Sequence, residues 1–308
     1  MAASIYKYFS SEIMPLVFQR NGFCGIKCSF PKEYNDPYEL FLGVDLTVSP
    51  QLLATYRDIV QELPQDPTTC FSKSPTVAPM WAHYANNHSG FVLQFDIEEL
   101  ARCFKDLVIE EVTYRDTPDE SIKSFLQRAA GTKKPRHAYA LQQAVSYTAY
   151  FSKHTAWSYE QEVRLVAGVQ DCEDVGASKI LFVPSTCLSA IIVGQNATSD
   201  MSDLSIVLAT QNNLSWYRSV IGKSKAEPSF KDRSDLVAVF DGERISLSKR
   251  ICKSCSEPVE GERALCPWCS ITEVHEMEAA RGNPLRVLDR FGLLEQYYEN
   301  ADKIGRKE

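Results

Sequence analysis

The amino-acid sequence predicts an α+β fold, in which antiparallel or mixed sheets are flanked by helices, followed by a small zinc ribbon and a C-terminal helix. Segments whose apolar residues alternate with polar ones predict strands, and they occur among segments with the three- and four-residue spacing of helices. The two kinds of segment do not alternate strictly, and no Gly-rich phosphate loop follows a strand, which excludes a doubly wound dinucleotide-binding sheet. Two C-x-x-C pairs near the C-terminus predict the zinc ribbon.

The strands are predicted where the alternation is bounded by turn-forming Gly, Pro, Asn or Asp residues. They cover Ser4–Ser10, Gly25–Phe30, Thr69–Ser72, Gly90–Asp96, Leu107–Tyr114, Glu160–Val169, Lys179–Val183 and Leu188–Gly194. The predicted helices are Pro50–Leu63, Ile97–Phe104, Ser121–Ala130, Ala138–Ser152 and Asp200–Gln211. Ser49 is a suitable N-cap for the first helix, and Pro50 suits its first position. A tight turn at Asp241 and Gly242 predicts a hairpin over Val237–Ser246.

The composition excludes several classes of protein. The chain has 308 residues, of which 44% are hydrophobic and 24% are charged, which is typical of a soluble globular protein with one large or two modest domains. It has neither a membrane-spanning apolar run nor a signal sequence, so we expect a cytoplasmic protein without a membrane partner. The formal net charge is −7, and residues 1–248 and 249–308 both have an acidic excess, which argues against a cationic nucleic-acid-binding module.

Cys252, Cys255, Cys266 and Cys269 form two C-x-x-C pairs that are separated by ten residues. This spacing is typical of a tetrahedral zinc site, whereas a thioredoxin-like redox protein has one such pair at a strand-to-helix junction. Four thiolate ligands leave no open coordination position, so we expect the zinc ion to be structural.

Three domains are predicted: an α+β body over residues 1–248, a zinc-ribbon-like module over 249–273 and a helix over 274–308. In the last of these, the apolar residues at helical spacing are Leu285, Val287, Leu288, Phe291, Leu294 and Tyr298. Such a stripe is typical of a helix that packs on another surface. We therefore expect this helix to contact the body or a protein partner, and the zinc ribbon offers a second surface to which that partner could dock.

Four segments of the body stand out together because they are rich in aromatic and charged residues. They are Ile5–Phe9, Tyr34–Glu39, Met80–Gly90 and Trp157–Leu165. In their order and residues they resemble a bacterial family that is catalogued as domain of unknown function 2971. The resemblance extends over about residues 5–242 and leaves the zinc ribbon outside it as an accessory. The family name implies no activity, so the expected chemistry rests on the residues themselves.

The segment Trp157–Leu165 has the most informative pattern. On a strand over Glu160–Val169, the side chains of Glu160, Glu162 and Arg164 would share one face. A Glu-x-Glu pair on a strand that follows aromatic residues resembles the catalytic strand of ADP-ribosyltransferases. This resemblance implies split sheets around a cleft and NAD as the substrate. It also implies that Glu162 stabilises an oxocarbenium-like transition state and that Glu160 orients or deprotonates the acceptor.

The residues expected to bind NAD come from the first strand, from the Met80–Gly90 segment and from the Glu-x-Glu strand. They are Tyr6, Lys7, Tyr8, Trp81, His83, Tyr84 and Arg164. The aromatic rings among them suit the nicotinamide or adenine ring of the substrate.

The leading hypothesis is an NAD-dependent ADP-ribosyltransferase that modifies an unidentified macromolecule, a protein or a nucleic acid, as bacterial toxins and phage-defence effectors do. A second hypothesis is a non-catalytic module that senses a nucleotide or binds a protein, in which the charged residues form a structural ion pair. A third is a nuclease that uses His83, His88 or His154 as acid and base. Each hypothesis predicts a different observation. The transferase consumes NAD, the binding module binds its ligand without turnover, and the nuclease degrades nucleic acid without NAD.

Overall fold

The computed structural model divides the chain into two compact units. The first comprises Met1–Ile221 and Glu227–Leu247, and the second comprises Gly222–Ala226 and Ser248–Glu308. The structure describes residues 4–33, 44–61, 63 and 65–304. The segment Tyr34–Glu39, which contributes to the family resemblance, lies outside these residues. In the described part of the chain, no helix has the length and apolar character needed to span a membrane.

The first unit is a mixed α+β structure, which confirms the predicted fold class at that level. Its strands are β1 (Ser4–Phe9), β2 (Phe23–Cys28), β3 (Thr68–Ser72), β4 (Phe91–Asp96), β5 (Val108–Glu111), β6 (Thr113–Tyr114), β7 (Ser152–Lys153), β8 (Glu162–Val166), β9 (Cys172–Val175), β10 (Ser178–Pro184), β11 (Leu188–Val193), β12 (Ser215–Val220), β13 (Ser229–Asp232), β14 (Val237–Phe240) and β15 (Ile245–Leu247). Its helices are α1 (Met14–Val17), α2 (Pro50–Val60), α3 (Ala78–His83), α4 (Ile97–Cys103), α5 (Glu120–Thr132), α6 (Pro135–Phe151) and α7 (Ser199–Gln211).

Ten of the strands form one mixed sheet in the order β15-β14-β13-β12-β11-β4-β1-β3-β8-β5. The pair β11–β12 is parallel, and the other neighbouring pairs of this sheet are antiparallel. A second sheet has the order β2-β10-β9, and β6 and β7 form a short parallel pair. The predicted hairpin over Val237–Ser246 is present as β14 and β15.

Strand β1 is buried on both of its faces. Because side chains alternate along a strand, Ile5 and Phe9 pack into the apolar cluster on one face of the sheet, and Tyr6 and Tyr8 pack with Trp81 on the other. The two faces of the sheet therefore have separate apolar cores. Side chains from both faces of β1 line a cavity beside this strand.

Helices α2, α5 and α6 form a third apolar cluster, which includes Leu126 and Leu141. Their ends follow the expected capping chemistry. Ser49 Oγ accepts a hydrogen bond from Leu52 N at the start of α2, as predicted, and Asp119 Oδ1 accepts one from Ser121 N at the start of α5.

The strand predicted over Glu160–Val169 is shorter than expected and excludes its first glutamate. Thr155–Glu160 forms a 3₁₀ helix whose N-cap His154 accepts a hydrogen bond from Ala156 N. Gln161 then takes a left-handed conformation with φ +47°, and β8 begins one residue later. The left-handed residue reverses the chain direction locally, so Glu160 reaches the site from the preceding turn and not from the strand.

The described residues of the second unit form the cysteine cluster and three helices, α8 (Glu273–Gly282), α9 (Pro284–Arg290) and α10 (Leu294–Ile304). The prediction of one helix over 274–308 is therefore wrong. Asn283 caps α9 by accepting a hydrogen bond from Leu285 N, and Gly292, with φ +69°, separates α9 from α10. Of the predicted apolar stripe, Leu285, Val287, Phe291 and Tyr298 are exposed.

Replacing Gly194 with Ala should destabilise the first unit by about 1–3 kcal/mol, because a Cβ at this position would overlap the carbonyl oxygen of His88. The backbone around Gly194 cannot move away freely, since Gly194 N donates to Gly90 O at 2.9 Å and Asn196 N donates to His88 O at 2.8 Å. Denaturant unfolding monitored by tryptophan fluorescence measures the change in the free energy of unfolding.

The matched control for this substitution is Gly131→Ala in α5, where a Cβ would meet open space. Because alanine has the higher helix propensity, this control should leave stability unchanged or raise it by up to about 1 kcal/mol. Equal effects of the two substitutions would contradict the assigned close approach.

Candidate functional site

A cavity of about 230 Å³ lies in the first unit, where β1 and β3 separate. The two strands pair at Tyr6 and Ser72, whereas β1 pairs with β4 over all six of its residues. One residue further along β1, Lys7 Nζ donates a hydrogen bond to the backbone carbonyl of Cys70 at 2.9 Å. The ammonium of Lys7 thus takes the place of a backbone N–H of the neighbouring strand as the hydrogen-bond donor to this carbonyl. The space beside this hydrogen bond is the cavity.

Glu162 and Arg164 lie on the same face of β8, as the two-residue period of a strand requires. Arg164 Nε donates to Glu162 Oε1 at 2.7 Å, and Arg164 Nη2 donates to Glu162 Oε2 at 3.3 Å. Arg164 Nη1 donates to the backbone carbonyl of Tyr150 at 2.7 Å. Both side chains line the cavity and are almost fully buried, so the guanidinium holds the carboxylate in a fixed orientation.

Lys153, at the end of β7, joins the two glutamates. Its Nζ donates to Glu160 Oε2 at 2.6 Å and to Glu162 Oε2 at 3.0 Å, and it lies 4.9 Å from the centre of the Trp157 ring. The ammonium is buried together with both carboxylates. Without a cation between them, two buried carboxylates this close would repel each other strongly.

Glu160 is also held from the opposite side by α3. Tyr84, at the C-terminal end of that helix, donates its hydroxyl hydrogen bond to Glu160 Oε1 at 2.7 Å. Each oxygen of Glu160 therefore has one partner, Tyr84 or Lys153.

The two glutamates differ in their protonation chemistry. For Glu162, burial by itself would raise the pKa, but the charges of Arg164 and Lys153 outweigh burial and lower the pKa to about 2. For Glu160, burial raises the pKa above its ordinary value, against the opposing charge of Lys153. The pKa of Lys153 is raised, because the charges of Glu162 and Glu160 outweigh the effect of its burial. Glu162 is thus a permanent anion near neutral pH, and Glu160 accepts a proton more readily.

Most of the residues predicted to form the site line this cavity. They are Tyr6, Lys7, Tyr8, Tyr84, Glu160, Glu162 and Arg164. Trp81 and His83 are not among the described residues that line it. Trp81 is fully buried, where its Nε1 donates to Pro75 O at 2.8 Å and its ring packs edge-on against Tyr8, and His83 is exposed on α3. The structure therefore does not bring these two residues to the cavity, and Trp81 instead packs behind Tyr8.

The histidines proposed as nuclease residues are not brought together here. The ring of His88 stacks on Trp81 at 5.7 Å, and His154 Nε2 lies 3.1 Å from Asp116 Oδ1. Neither of them, nor His83, is among the described residues that line the cavity.

Sequence reasoning missed Lys153 and did not assign Trp157, Cys70 or Thr69 to the site. Lys153 belongs to a two-residue strand that follows a long helix, so no periodic pattern marks it. Its position depends on pairing between β6 and β7, which is a tertiary contact. The sequence feature that could have indicated its role is the presence of a lysine a few residues before the Glu-x-Glu pair.

The second unit contains the other candidate site. The sulfur atoms of Cys252, Cys255, Cys266 and Cys269 all lie within 4.8 Å of one another, so these residues are positioned to bind a metal ion. Sγ of Cys255 and Cys266 are 3.7 Å apart, and Cys269 N donates to Cys266 Sγ at 3.4 Å. This result confirms that the two C-x-x-C pairs converge.

Residues 80–165 match the model of a family described as "Protein of unknown function (DUF2971)". The match supports the family resemblance over these residues. It runs from α3 into β8, so it includes Tyr84, Lys153, Glu160, Glu162 and Arg164. No match was found among curated proteins or solved structures. The family description assigns no activity, and the function is therefore inferred from the geometry of the cavity.

Replacing Lys153 with Met should destabilise the first unit by about 3–5 kcal/mol near neutral pH, because two buried carboxylates then lie together with one cation fewer. The pKa of Glu162 is lowered from 4.5 to about 2, so its contribution to stability is present above pH 4.5 and is lost as the pH falls through 2. The deficit of the variant should therefore be largest above pH 4.5 and shrink as the pH falls towards 2. Denaturant unfolding of both proteins across this range measures the deficit.

Lys179→Met is the matched control, since Lys179 forms an ion pair with the exposed Asp174 at 2.8 Å and should contribute less than about 1 kcal/mol. A deficit for Lys153→Met that stays constant across the pH range would show that Lys153 acts through packing and not through its charge.

Proposed function

We propose that the cavity binds NAD and that the protein is a cytoplasmic NAD-dependent ADP-ribosyltransferase acting on a macromolecule, of the type that bacteria use as toxins or phage-defence effectors. One observation supports this above the others: Glu162 lies in the wall of an aromatic-lined cavity and is held as an anion by Arg164 and Lys153. Cleavage of the bond between nicotinamide and ribose develops positive charge on the ribose, and a fixed carboxylate in a buried site stabilises that charge.

The different pKa shifts of the two glutamates support different roles. Glu162, with a pKa of about 2, is a poor base and suits electrostatic stabilisation of the transition state. Glu160, whose pKa is raised by burial, is the better proton acceptor and suits activation of the nucleophile on the acceptor. Tyr84 and Lys153 position Glu160 for this role from two sides.

The sheet around the cavity also supports the proposal. β1 and β3 are neighbours in one sheet but pair only at Tyr6 and Ser72, and the cavity beside this pair is lined by Tyr6 and Tyr8 together with the glutamates. Trp157 and Tyr84 add two more rings to the lining of the cavity. Aromatic rings in this arrangement suit the nicotinamide and adenine rings of NAD.

A second candidate function is a non-catalytic regulatory module that senses a nucleotide or binds a protein. The observation that favours it is the pairing of every oxygen of Glu160 and Glu162 with Tyr84, Lys153 or Arg164. A fully paired network of this kind is also what a rigid binding site requires. Binding without turnover distinguishes this module from the enzyme.

For the second unit, we propose that the four cysteines bind one structural zinc ion. Four thiolates in two C-x-x-C pairs are typical zinc ligands, and they leave no coordination position for a substrate. Among the described residues of this unit, Cys252 and Cys266 are the ones that are buried. With so little apolar core, the unit depends on metal binding for its folding energy. A protein partner could dock on this module or on its helices, whose apolar side chains are exposed.

The freshly purified protein should contain about one equivalent of zinc, as measured by elemental analysis. Cys266→Ser should abolish stoichiometric zinc binding and make the second unit sensitive to proteolysis, while the first unit unfolds at nearly its original denaturant concentration. Cys103→Ser, which replaces an exposed cysteine of the first unit, is the control and should retain the metal. A zinc content well below one equivalent in the wild-type protein would contradict the assignment of a zinc site.

The enzyme proposal predicts that the protein releases nicotinamide from NAD and transfers label from NAD to a component of a cell extract. Glu162→Gln should lower the rate by about two to three orders of magnitude. Glu160→Gln should retain nicotinamide release and lose transfer to the acceptor. Because Glu162 is also a buried ion-pair partner, its substitution will cost stability, so each rate is normalised to the folded fraction of the variant.

Glu110→Gln is the control for these two variants, since Glu110 is an exposed carboxylate on the neighbouring strand β5. It should retain full activity. If the wild type binds NAD but neither releases nicotinamide nor transfers label, the regulatory module becomes the favoured function.

A further inference from the structure

The cavity has two walls that differ in their hydrogen-bonding chemistry. One wall contains Glu160 and Glu162, whose oxygens already accept hydrogen bonds. The remaining lining includes Lys7, Lys27 and Thr69, which we call the donor wall. It also includes Glu33, whose Oε2 accepts a hydrogen bond from Phe30 N at 3.1 Å. Among the described residues that line the cavity, the buried hydroxyl groups of Tyr6 and Thr69 have no hydrogen-bond partner, and Thr69 belongs to the donor wall.

Thr69 supplies the clearest unused group. It is almost fully buried in β3, and its hydroxyl has no hydrogen-bond partner in the described part of the chain. A buried hydroxyl without a partner is unfavourable, so such groups normally meet a ligand or a water molecule. Thr69 is also one of the residues that line the cavity.

The two lysines add positive charge to the same wall. Lys7 Nζ has three hydrogens and donates one hydrogen bond, to Cys70 O, among the residues described. Its ammonium lies 5.3 Å from the centre of the Phe71 ring and 5.8 Å from that of Phe9, which places it on the apolar face of the sheet. Lys27 forms no hydrogen bond or ion pair with any residue that the structure describes.

The register of the strands places Lys7 and Thr69 on one face of the sheet, and Lys27 reaches the same cavity from the other face. Since Tyr6 is opposite Ser72 in an antiparallel pair, Lys7 shares a face with Phe71 and hence with Thr69. Strand β2 ends beside this position, because Ser29 N donates to Thr68 O and Thr68 N donates to Ser29 O, both at 2.8 Å. Lys27, two residues before Ser29, lies on the face that Ser29 shares with Thr68, so it reaches the cavity from the face opposite to Thr69.

We propose that the donor wall is an anion subsite, which binds a phosphate or pyrophosphate group of the ligand through Lys7, Lys27 and Thr69. Ammonium groups offer donors and no acceptors, so this wall favours a ligand group that offers only acceptors and carries negative charge. A neutral sugar would satisfy Thr69 but would gain little from two ammonium groups. The low-polarity surroundings of Phe9 and Phe71 strengthen the attraction between Lys7 and an oxyanion.

As a part of an NAD site, this subsite rests on the proposed function, because the phosphates would then be those of the dinucleotide. Its capacity to bind an oxyanion does not depend on catalysis. Inorganic pyrophosphate tests the subsite alone, ADP-ribose tests it in a larger ligand, and adenosine lacks the anion.

The test is isothermal titration calorimetry of the full-length protein with each of these three ligands. Pyrophosphate and ADP-ribose should bind, adenosine should bind at least tenfold more weakly than ADP-ribose, and raising the salt concentration should weaken the binding of both anions. Thr69→Val should weaken anion binding about two- to tenfold, and Lys27→Met should weaken it about tenfold. Lys7→Met should have the largest effect, but Lys7 also supports the backbone of β3, so the other two variants decide the outcome.

Two matched controls should bind like the wild type. Thr148→Val changes an equally buried threonine in α6, and Lys105→Met changes an exposed lysine, and neither residue is among the described residues that line the cavity. The inference is overturned if neither anion binds the wild type, if Thr69→Val and Lys27→Met bind both anions like the wild type, or if adenosine binds as tightly as ADP-ribose.

Measurements of NAD consumption separate this inference from the enzyme proposal. If ADP-ribose binding depends on Thr69 and Lys27 but NAD is not consumed, the anion subsite stands and the enzyme proposal fails. If NAD is consumed and Thr69→Val and Lys27→Met leave the KM for NAD unchanged, the enzyme proposal stands and the subsite assignment fails.

Discussion

The ammonium of Lys153 between Glu160 and Glu162 is the interaction on which the site depends. It links three consecutive elements of the chain, namely β7 at the end of α6, the 3₁₀ turn before β8, and β8 itself. Burying two carboxylates within reach of one another is unfavourable unless a cation lies between them. The charge balance of the cavity therefore constrains how the chain turns between β7 and β8.

Arg164 completes this arrangement and makes the two glutamates unequal. It binds Glu162 and the carbonyl of Tyr150, whereas Glu160 has the neutral hydroxyl of Tyr84 as its second partner. The consequence is one carboxylate that stays ionised and one whose pKa is raised by burial. A pair of carboxyl groups with opposite pKa shifts is a recurrent basis for dividing roles between two otherwise identical side chains.

The central strands could be predicted from the sequence because their periodicity coincides with their burial. The bounds of β1, β4 and β11 agree with the predicted segments to within about one residue at either end, and Leu165 of β8 is fully buried. The alternation of apolar and polar residues did not reveal the left-handed conformation of Gln161, because a single turn residue leaves that alternation intact. This conformation excludes Glu160 from the strand. Composition marked Trp81 and Tyr84 alike as site aromatics, but only the packing of α3 determines that the first is buried and the second faces the cavity. The role of Lys153 was not predicted, because its position depends on the tertiary pairing of β6 with β7.

The single register pair between β1 and β3 gives the ten-stranded sheet a seam. On one side of Tyr6 and Ser72 lie seven strands, from β15 to β1, and on the other lie the three strands β3, β8 and β5. Elsewhere in this sheet, ladders of two or more backbone pairs join the neighbouring strands. A molecule seated in the cavity touches both sides of the seam, with Tyr8 on one and Glu162 on the other, and so acts as a cross-link between two half-sheets. Binding of such a molecule then stabilises the sheet against local opening between β1 and β3. Slower amide hydrogen exchange along these two strands would report an occupied cavity even without turnover.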